Sequence, residues 1–190
     1  MAIKIFVDQG HNPTGFNAGA EGFGLREQDI TYNVGTYLAN LLSNDYRFEV
    51  RTSRTNPEEY LGTSQVTSLQ TRVDMANNWP ADYFISIHAN ANENPAINGT
   101  EAYVAEAYSE AYYLGYDIVA AIVERVGTRN NAVRLNPSLY VLRKTTMPSV
   151  LVELGYLTNY EDSEKLRNDQ YQFAYGIYEG LLNYFGLPQL

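Results

Sequence analysis

Cysteine is absent from these 190 residues, which excludes disulfides, thiolate metal sites and a cysteine nucleophile together. Any metal must then be held by imidazole and carboxylate. Histidine is nearly absent too, with two copies. Positive charge is scarce: 13 Lys and Arg face 22 Asp and Glu, for a formal net charge of −9 and a pI near 4.7. Such a field repels phosphate backbones and anionic membranes, so nucleic acid is not an expected partner. No stretch approaches the roughly 20 continuous apolar residues of a membrane span. The segment Met1-Ala2-Ile3-Lys4-Ile5 runs straight into a strand-like run, without the basic start, apolar segment and small-residue cleavage site of a signal peptide, so an export route is not visible in the chain. No repeat, linker or low-complexity tract divides the sequence. With 45% hydrophobic and 18% charged residues, its length fits one domain over residues 1–190 with a sizeable core.

Strand-like and helix-like patterns alternate along the chain. Ile3–Val7 reads as a buried strand and Gly10–Gly24 as a Gly-rich loop. From about Glu27 to Leu42 the positions Ile30, Val34, Tyr37, Leu38, Leu41 and Leu42 follow one helix face. Phe48–Thr52 is a short strand, Asn56–Ser64 a loop, and Ser68 is a candidate cap for a helix running to about Asn77. Strands follow at Tyr83–His88 and Thr100–Val104, then a helix opening at Ser109 and reaching Val126. Tyr140–Leu142 and Ser149–Glu153 read as two further strands, and Tyr171–Phe185 as a closing helix. Gly176 and Gly180 sit one turn apart in that last helix, where each costs about 1 kcal/mol against Ala, so a close helix contact is expected there. The interleaving predicts an α/β fold: a twisted, largely parallel (mixed) sheet of about six strands, flanked by helices on both faces.

Both histidines stand at the end of such runs, His11 after Ile3–Val7 and His88 closing Tyr83–Ile87, and a third run, Met147–Val152, ends in Glu153. Strand ends in an α/β sheet hand side chains to a cleft, and imidazole is both a common metal ligand and a common general base. With Glu27 at the start of a helix, His11 and His88 make a donor set that suits a catalytic divalent zinc, although their spacing alone does not encode one. Each residue also has an ordinary reading: a hydrogen-bonded histidine near a turn, or a glutamate placed in a helix's first turn by the macrodipole. Glu153 differs, because burying a carboxylate behind Val150-Leu151-Val152 demands a partner or a task.

Taken together, Asp8-Gln9-Gly10-His11, Glu27 after Gly22-Phe23-Gly24-Leu25-Arg26, Ser86-Ile87-His88-Ala89-Asn90-Ala91 and Val152-Glu153-Leu154-Gly155-Tyr156-Leu157-Thr158-Asn159 resemble the zinc-dependent N-acetylmuramoyl-L-alanine amidases of the AmiC/CwlC type. The four motifs occur in order across essentially the whole chain, with Thr52-Ser53-Arg54, Arg72-Val73 and Tyr140-Val141-Leu142-Arg143 also in place. The resemblance implies that His11, Glu27 and His88 hold one zinc ion and that Glu153 is the catalytic glutamate. It also implies peptidoglycan as the partner, a site of action outside the cell or at its wall, and a monomer. Where the family commonly shows Gly-His-Gly-Gly, this chain has Gly10-His11-Asn12-Pro13, which stiffens the loop beside the first ligand and adds a polar side chain to it.

The reaction so implied is hydrolysis of the amide joining the lactyl group of N-acetylmuramic acid to the L-alanine of the stem peptide. A zinc peptidase acting within the stem peptide, and a wall-binding module without turnover, are the competing expectations. Asp8 and Asn90 flank the histidines and either orient an imidazole or make ordinary turn hydrogen bonds. Arg54, Arg72 and Arg143 either meet stem-peptide carboxylates or pair with local acids. The 17 tyrosines divide between packing and sugar stacking in a proportion the sequence leaves open.

Overall fold

A computed structural model describes residues 2–190. The elements in chain order are β1 (Ile3–Gln9), a two-residue hairpin β2 (Glu21–Gly22) and β3 (Leu25–Arg26), α1 (Glu27–Ser43), β4 (Phe48–Thr52), α2 (Gln65–Asn78), β5 (Tyr83–Asn90), β6 (Thr100–Val104), α3 (Glu110–Val126), β7 (Asn130–Leu135), α4 (Tyr140–Lys144), β8 (Ser149–Tyr156), α5 (Tyr160–Asn168) and α6 (Gln170–Phe185). Six strands form one sheet in the order β4-β1-β5-β8-β6-β7. Its first four strands run parallel, β6 is antiparallel to β8, and β7 is parallel to β6.

The expected α/β fold, a mixed sheet flanked by helices on both faces, is what the chain adopts. Because side chains alternate along a strand, Ile5, Val7, Ile85, Ile87, Val150 and Val152 face one way and pack with Ile30, Val34 and Leu38 of α1, Leu114 and Ile118 of α3, and Phe173 and Ile177 of α6. Phe6, Phe84 and Leu151 face the other way, against Val73 and Ala76 of α2, Trp79, and Val141 and Leu142 of α4. The predicted close contact of the last helix lies between α6 and α3. A methyl group added at Gly176 would sit 2.9 Å from the Cα of Ile122, and one at Gly180 2.5 Å from the Cα of Ile118.

Three expectations are corrected. Tyr140–Leu142 is the start of α4, not a strand. The amides of Leu142 and Arg143 both bond the Leu139 carbonyl, so the chain coils directly out of the Asn136–Ser138 turn. Ser68 does not cap α2; Ser64 does, four residues earlier, in a reciprocal capping box with Thr67. Ser68 instead lies fully buried inside the helix and accepts a hydrogen bond from Asn17. Finally, β7 and α5 are additional elements. β7 is an edge strand of alternating exposed and half-covered residues with a register shift opposite Thr100–Ala102, too polar to carry an apolar signature.

Candidate active site

The carboxyl ends of β1, β5 and β8 lie side by side at the centre of the sheet, on the face shared with α2 and α4. His11 follows β1 directly, in a left-handed backbone conformation (φ 71°) that bends the chain and turns its ring toward β5. Gly10 makes this approach possible: its amide bonds the Ile87 carbonyl, and a methyl group on it would lie 2.6 Å from two atoms of the His88 ring. Glu27, the first residue of α1, reaches back from the other side. Its Oε2 accepts the Ala20 amide at 2.9 Å and its Oε1 the Ala89 amide at 3.0 Å, so the carboxylate is fixed before any further partner is considered.

His11, Glu27 and His88 are therefore brought together as expected, although none is a neighbour of another in sequence. Glu27 Oε1 lies 2.9 Å from His11 Nε2 and 3.0 Å from His88 Nδ1, and the two imidazole nitrogens are 3.1 Å apart. The other ring nitrogen of His11, Nδ1, is 3.1 Å from the Asn17 carbonyl oxygen, which can only accept. Nδ1 thus carries the proton and Nε2 turns a lone pair inward. Two imidazole nitrogens and a carboxylate oxygen pointed at one small volume repel unless positive charge sits among them. Neutral imidazole and carboxylate suit a divalent metal such as zinc, so this donor set fits the group the sequence pattern calls for. Burial pushes the Glu27 carboxyl upward, but the two imidazoles beside it outweigh burial and hold the group well below the usual carboxylate range.

Glu153 stands beside His88 in the β5–β8 register and faces Glu101 across the β8–β6 pair. Its Oε2 is buried and has no hydrogen-bond partner among the described residues. Burial, reinforced by the charges of Glu27 and then Glu101, raises its carboxyl well above the ordinary value. Glu101 is completely buried, and its Oε1 accepts from Tyr156 Oη at 2.8 Å, Asn90 Nδ2 at 2.9 Å and Tyr103 Oη at 3.2 Å; its Oε2 has no hydrogen bond but is ion-paired with Arg134, whose Nε lies 2.7 Å away. Sequence reading missed Glu101 and Arg134. The alternation of Glu101 with Tyr103 on a recognised strand was the available signal.

Asp8 and Asn90 do not orient the imidazoles. Asp8 bonds Arg72 at 2.6 Å and Ser86 at 2.7 Å, and Asn90 bonds Glu101. Arg72 and Arg54, each 1% exposed, face inward rather than toward a substrate. Arg72 donates to the Gln9 and His11 carbonyls, both at 2.6 Å, and so straps the loop that presents His11, whereas Arg54 donates to the carbonyls of Gln28 and Pro57 at 3.1 and 2.6 Å and reaches the His11 carbonyl only at 3.5 Å. Asn12 is also buried: its side chain exchanges hydrogen bonds with the backbone of Leu61, both at 3.1 Å. The Asn12-Pro13 departure thus ties the His11 loop to the 55–62 loop.

This geometry has counterparts among known proteins. A family profile described as N-acetylmuramoyl-L-alanine amidase matches residues 5–183. The N-acetylmuramoyl-L-alanine amidase CwlM of Bacillus licheniformis is 34% identical over 98% of this chain and 70% of its own length, and LytC of Bacillus subtilis (strain 168) is 35% identical over 95% of this chain, which spans only 35% of LytC. The crystal structure of an N-acetylmuramoyl-L-alanine amidase from Clostridium difficile 630 superposes with a TM-score of 0.85 at 31% identity, covering 97% of both chains. Agreement in fold, in sequence and in extent places the chain in the N-acetylmuramoyl-L-alanine amidase family, among the hydrolases of peptidoglycan.

Proposed function

We propose that this protein is a zinc-dependent enzyme acting at the cell wall, which hydrolyses the amide between the lactyl group of N-acetylmuramic acid and the L-alanine of the stem peptide. His11, Glu27 and His88 would hold one zinc ion, and Glu153 is the general base and acid. A monomer with one catalytic domain over residues 1–190 belongs to the same proposal. The observation that carries it is the juxtaposition of a convergent His-Glu-His donor set with a half-buried carboxylate, on the strand next to His88, whose buried Oε2 has no hydrogen-bond partner among the described residues.

When bound, zinc supplies Lewis acidity and positive charge for water and for the carbonyl under attack. The chain's own residues supply the rest. Glu153 takes a proton from water as the new C–O bond forms, holds it at its carboxyl, and delivers it to the alanine nitrogen as the C–N bond breaks. The products are the free lactyl carboxyl group and a new alanine amino group. A carboxyl whose pKa is raised by burial retains a proton long enough to return it, which an ordinary solvated glutamate does poorly at neutral pH. Glu27, held low by the two imidazoles beside it, stays ionised and serves as a ligand.

Glu153→Gln is expected to keep zinc and wall binding while losing at least about a thousandfold in turnover, within the range for removing a positioned acid–base group. His88→Ala should lose zinc as well as turnover. Metal analysis and mass spectrometry of products from purified peptidoglycan check both. Normal digestion by the Glu153→Gln protein would overturn the assignment. Products with new amino groups inside the stem peptide would favour a peptidase instead. Zinc and wall binding with no product from the wild-type protein would favour a binding module, a role in which an unpartnered buried carboxylate has no use.

A further inference from the structure

Beside Glu153 the sheet opens into a cavity of about 510 Å³ whose lining includes Asn90, Asn92, Tyr103, Arg129, Arg134 and Tyr156. It begins where the candidate centre ends: Asn90 follows His88 on β5, Tyr156 follows Glu153 on β8, and the Glu101 carboxylate beneath it faces Glu153 across the sheet. No Asp or Glu lines it, in a protein that carries 22 acids against 13 bases. Two arginines do. Arg134 forms an ion pair with Glu101, its Nε 2.7 Å from Oε2, and its terminal NH groups have no partner among the described residues. The side chain of Arg129, which directly precedes β7, has none either, and both arginines are exposed. Tyr103 and Tyr156 donate their hydroxyls to Glu101, and with Arg134 paired to that acid the Arg129 guanidinium remains as the uncompensated charge of the cavity.

We infer that this cavity is a carboxylate-binding subsite, formed by Arg129 and Arg134, that receives the peptide half of the substrate on the alanine side of the scissile amide. The inference rests on the amidase reading above and deepens it. Once its lactyl carboxyl is tied up in the amide, the muramoyl half of the substrate is uncharged, whereas the peptide half carries free carboxylates. A cavity lined by two arginines and no acid, with one buried carboxylate beneath it, therefore matches the peptide and not the glycan. Guanidinium groups are suited to planar, two-pronged recognition of carboxylate. In a molecule of net charge −9, local concentration of cations is also what allows an anionic substrate to be seated at all. Of the three arginines for which sequence reading left this role open, Arg54 and Arg72 are buried with internal partners, and Arg143, on α4, is exposed but does not line this cavity.

The test uses the zinc-loaded enzyme and two synthetic muramoyl dipeptides that differ only in whether the carboxyl of the second peptide residue is free or a carboxamide. The readout is the ratio of KM for carboxamide to KM for carboxylate. The wild-type ratio should be roughly ten to a hundred, the usual value of a charge-assisted hydrogen bond. Arg129→Met and Arg134→Met should each bring it toward one, and Arg134→Lys should restore part of it. A purely structural role for either arginine would change both substrates alike, leave the ratio intact, and overturn the inference, as would a wild-type ratio near one. If the wild-type enzyme released no alanine amino group from either substrate, the amidase reading itself would fall, an outcome distinct from loss of discrimination alone.

Discussion

Glu153 has a thermodynamic signature as well as a chemical one. Its folded-state pKa is raised above the unfolded value, so between those two values the unfolded chain has released a proton that the native protein still holds. Stability then falls as pH rises above about 4.5, with a slope near 1.4 kcal/mol per pH unit until the folded group ionises. Glu153→Gln removes that ionisation. The metal-free variant should therefore be more stable than the metal-free wild type at pH 7 and equal to it at pH 4, as measured by urea unfolding at both values. Equal stability at both would mean that the native carboxyl is solvated or paired. A residue that destabilises the fold while lacking partners is under a demand other than folding. His11, His88 and Glu153 stood out in the sequence because rare or costly residue types followed apolar runs, whereas Glu27, at a helix start where an acid is ordinary, stood out only through its family motif. The Glu101–Arg134 pair was not, since Arg134 lies on an edge strand whose polar sequence hides it.

The elements that sequence periodicity located best are those with one apolar side. β4 and β6 fall on their expected bounds, and α1, α3 and α6 lie within a residue or so of theirs. The failures have physical causes. α5 is nearly all polar, is capped by Asn159, and buries only Asp162, Ser163 and Leu166, so no periodic signal existed to read. α4 is a five-residue coil in which two adjacent apolar residues, Val141 and Leu142, are both buried, a pattern short enough to pass for a strand. The two glycines of α6 were informative because their cost demanded an explanation. Gly180→Ala makes the demand measurable. On an exposed helix this change would gain about 1 kcal/mol from helix propensity. Here the added methyl would come within 2.5 Å of the Ile118 Cα and 2.8 Å of its nitrogen, which are backbone atoms of a packed helix. Steric cost should prevail, and the variant should be less stable by about 1–3 kcal/mol, as for other overpacked cores. A stabilised Gly180→Ala protein would show that α3 and α6 separate at little cost.

Across the whole molecule, acid should undo the fold through a small number of buried carboxylates, not through the excess surface charge. Asp8 is held below its ordinary pKa because Arg72, Ser86 and their hydrogen bonds outweigh the upward push of burial, and the same Arg72 fixes the His11 carbonyl. Asp45, beyond the opposite end of α1, joins distant parts of the chain. Its Oδ2 accepts from Arg47 at 2.6 Å and from Tyr178 of α6 at 2.8 Å, and Arg47 reaches on to the Pro188 carbonyl at 2.8 Å. Hydrogen bonds from Arg47, opposed by burial, lower the Asp45 pKa from 3.8 to about 2. For a depressed carboxylate the stabilisation is complete above the unfolded value and is lost as pH falls through the folded one. The window for Asp45 is therefore pH 4 down to 2, and Asp8 adds to the same acid limb. In Asp45→Asn the neutral amide cannot titrate, so the variant should be less stable than wild type at pH 6. The two should converge as pH approaches 2, because the wild-type carboxylate is then protonated as well. Denaturant midpoints at pH 6, 4, 3 and 2 follow the convergence. A constant gap across that range would assign the Asp45 contribution to packing and neutral hydrogen bonds, and would leave Asp8 and Arg72, which hold the His11 loop, as the acid-sensitive part of the molecule.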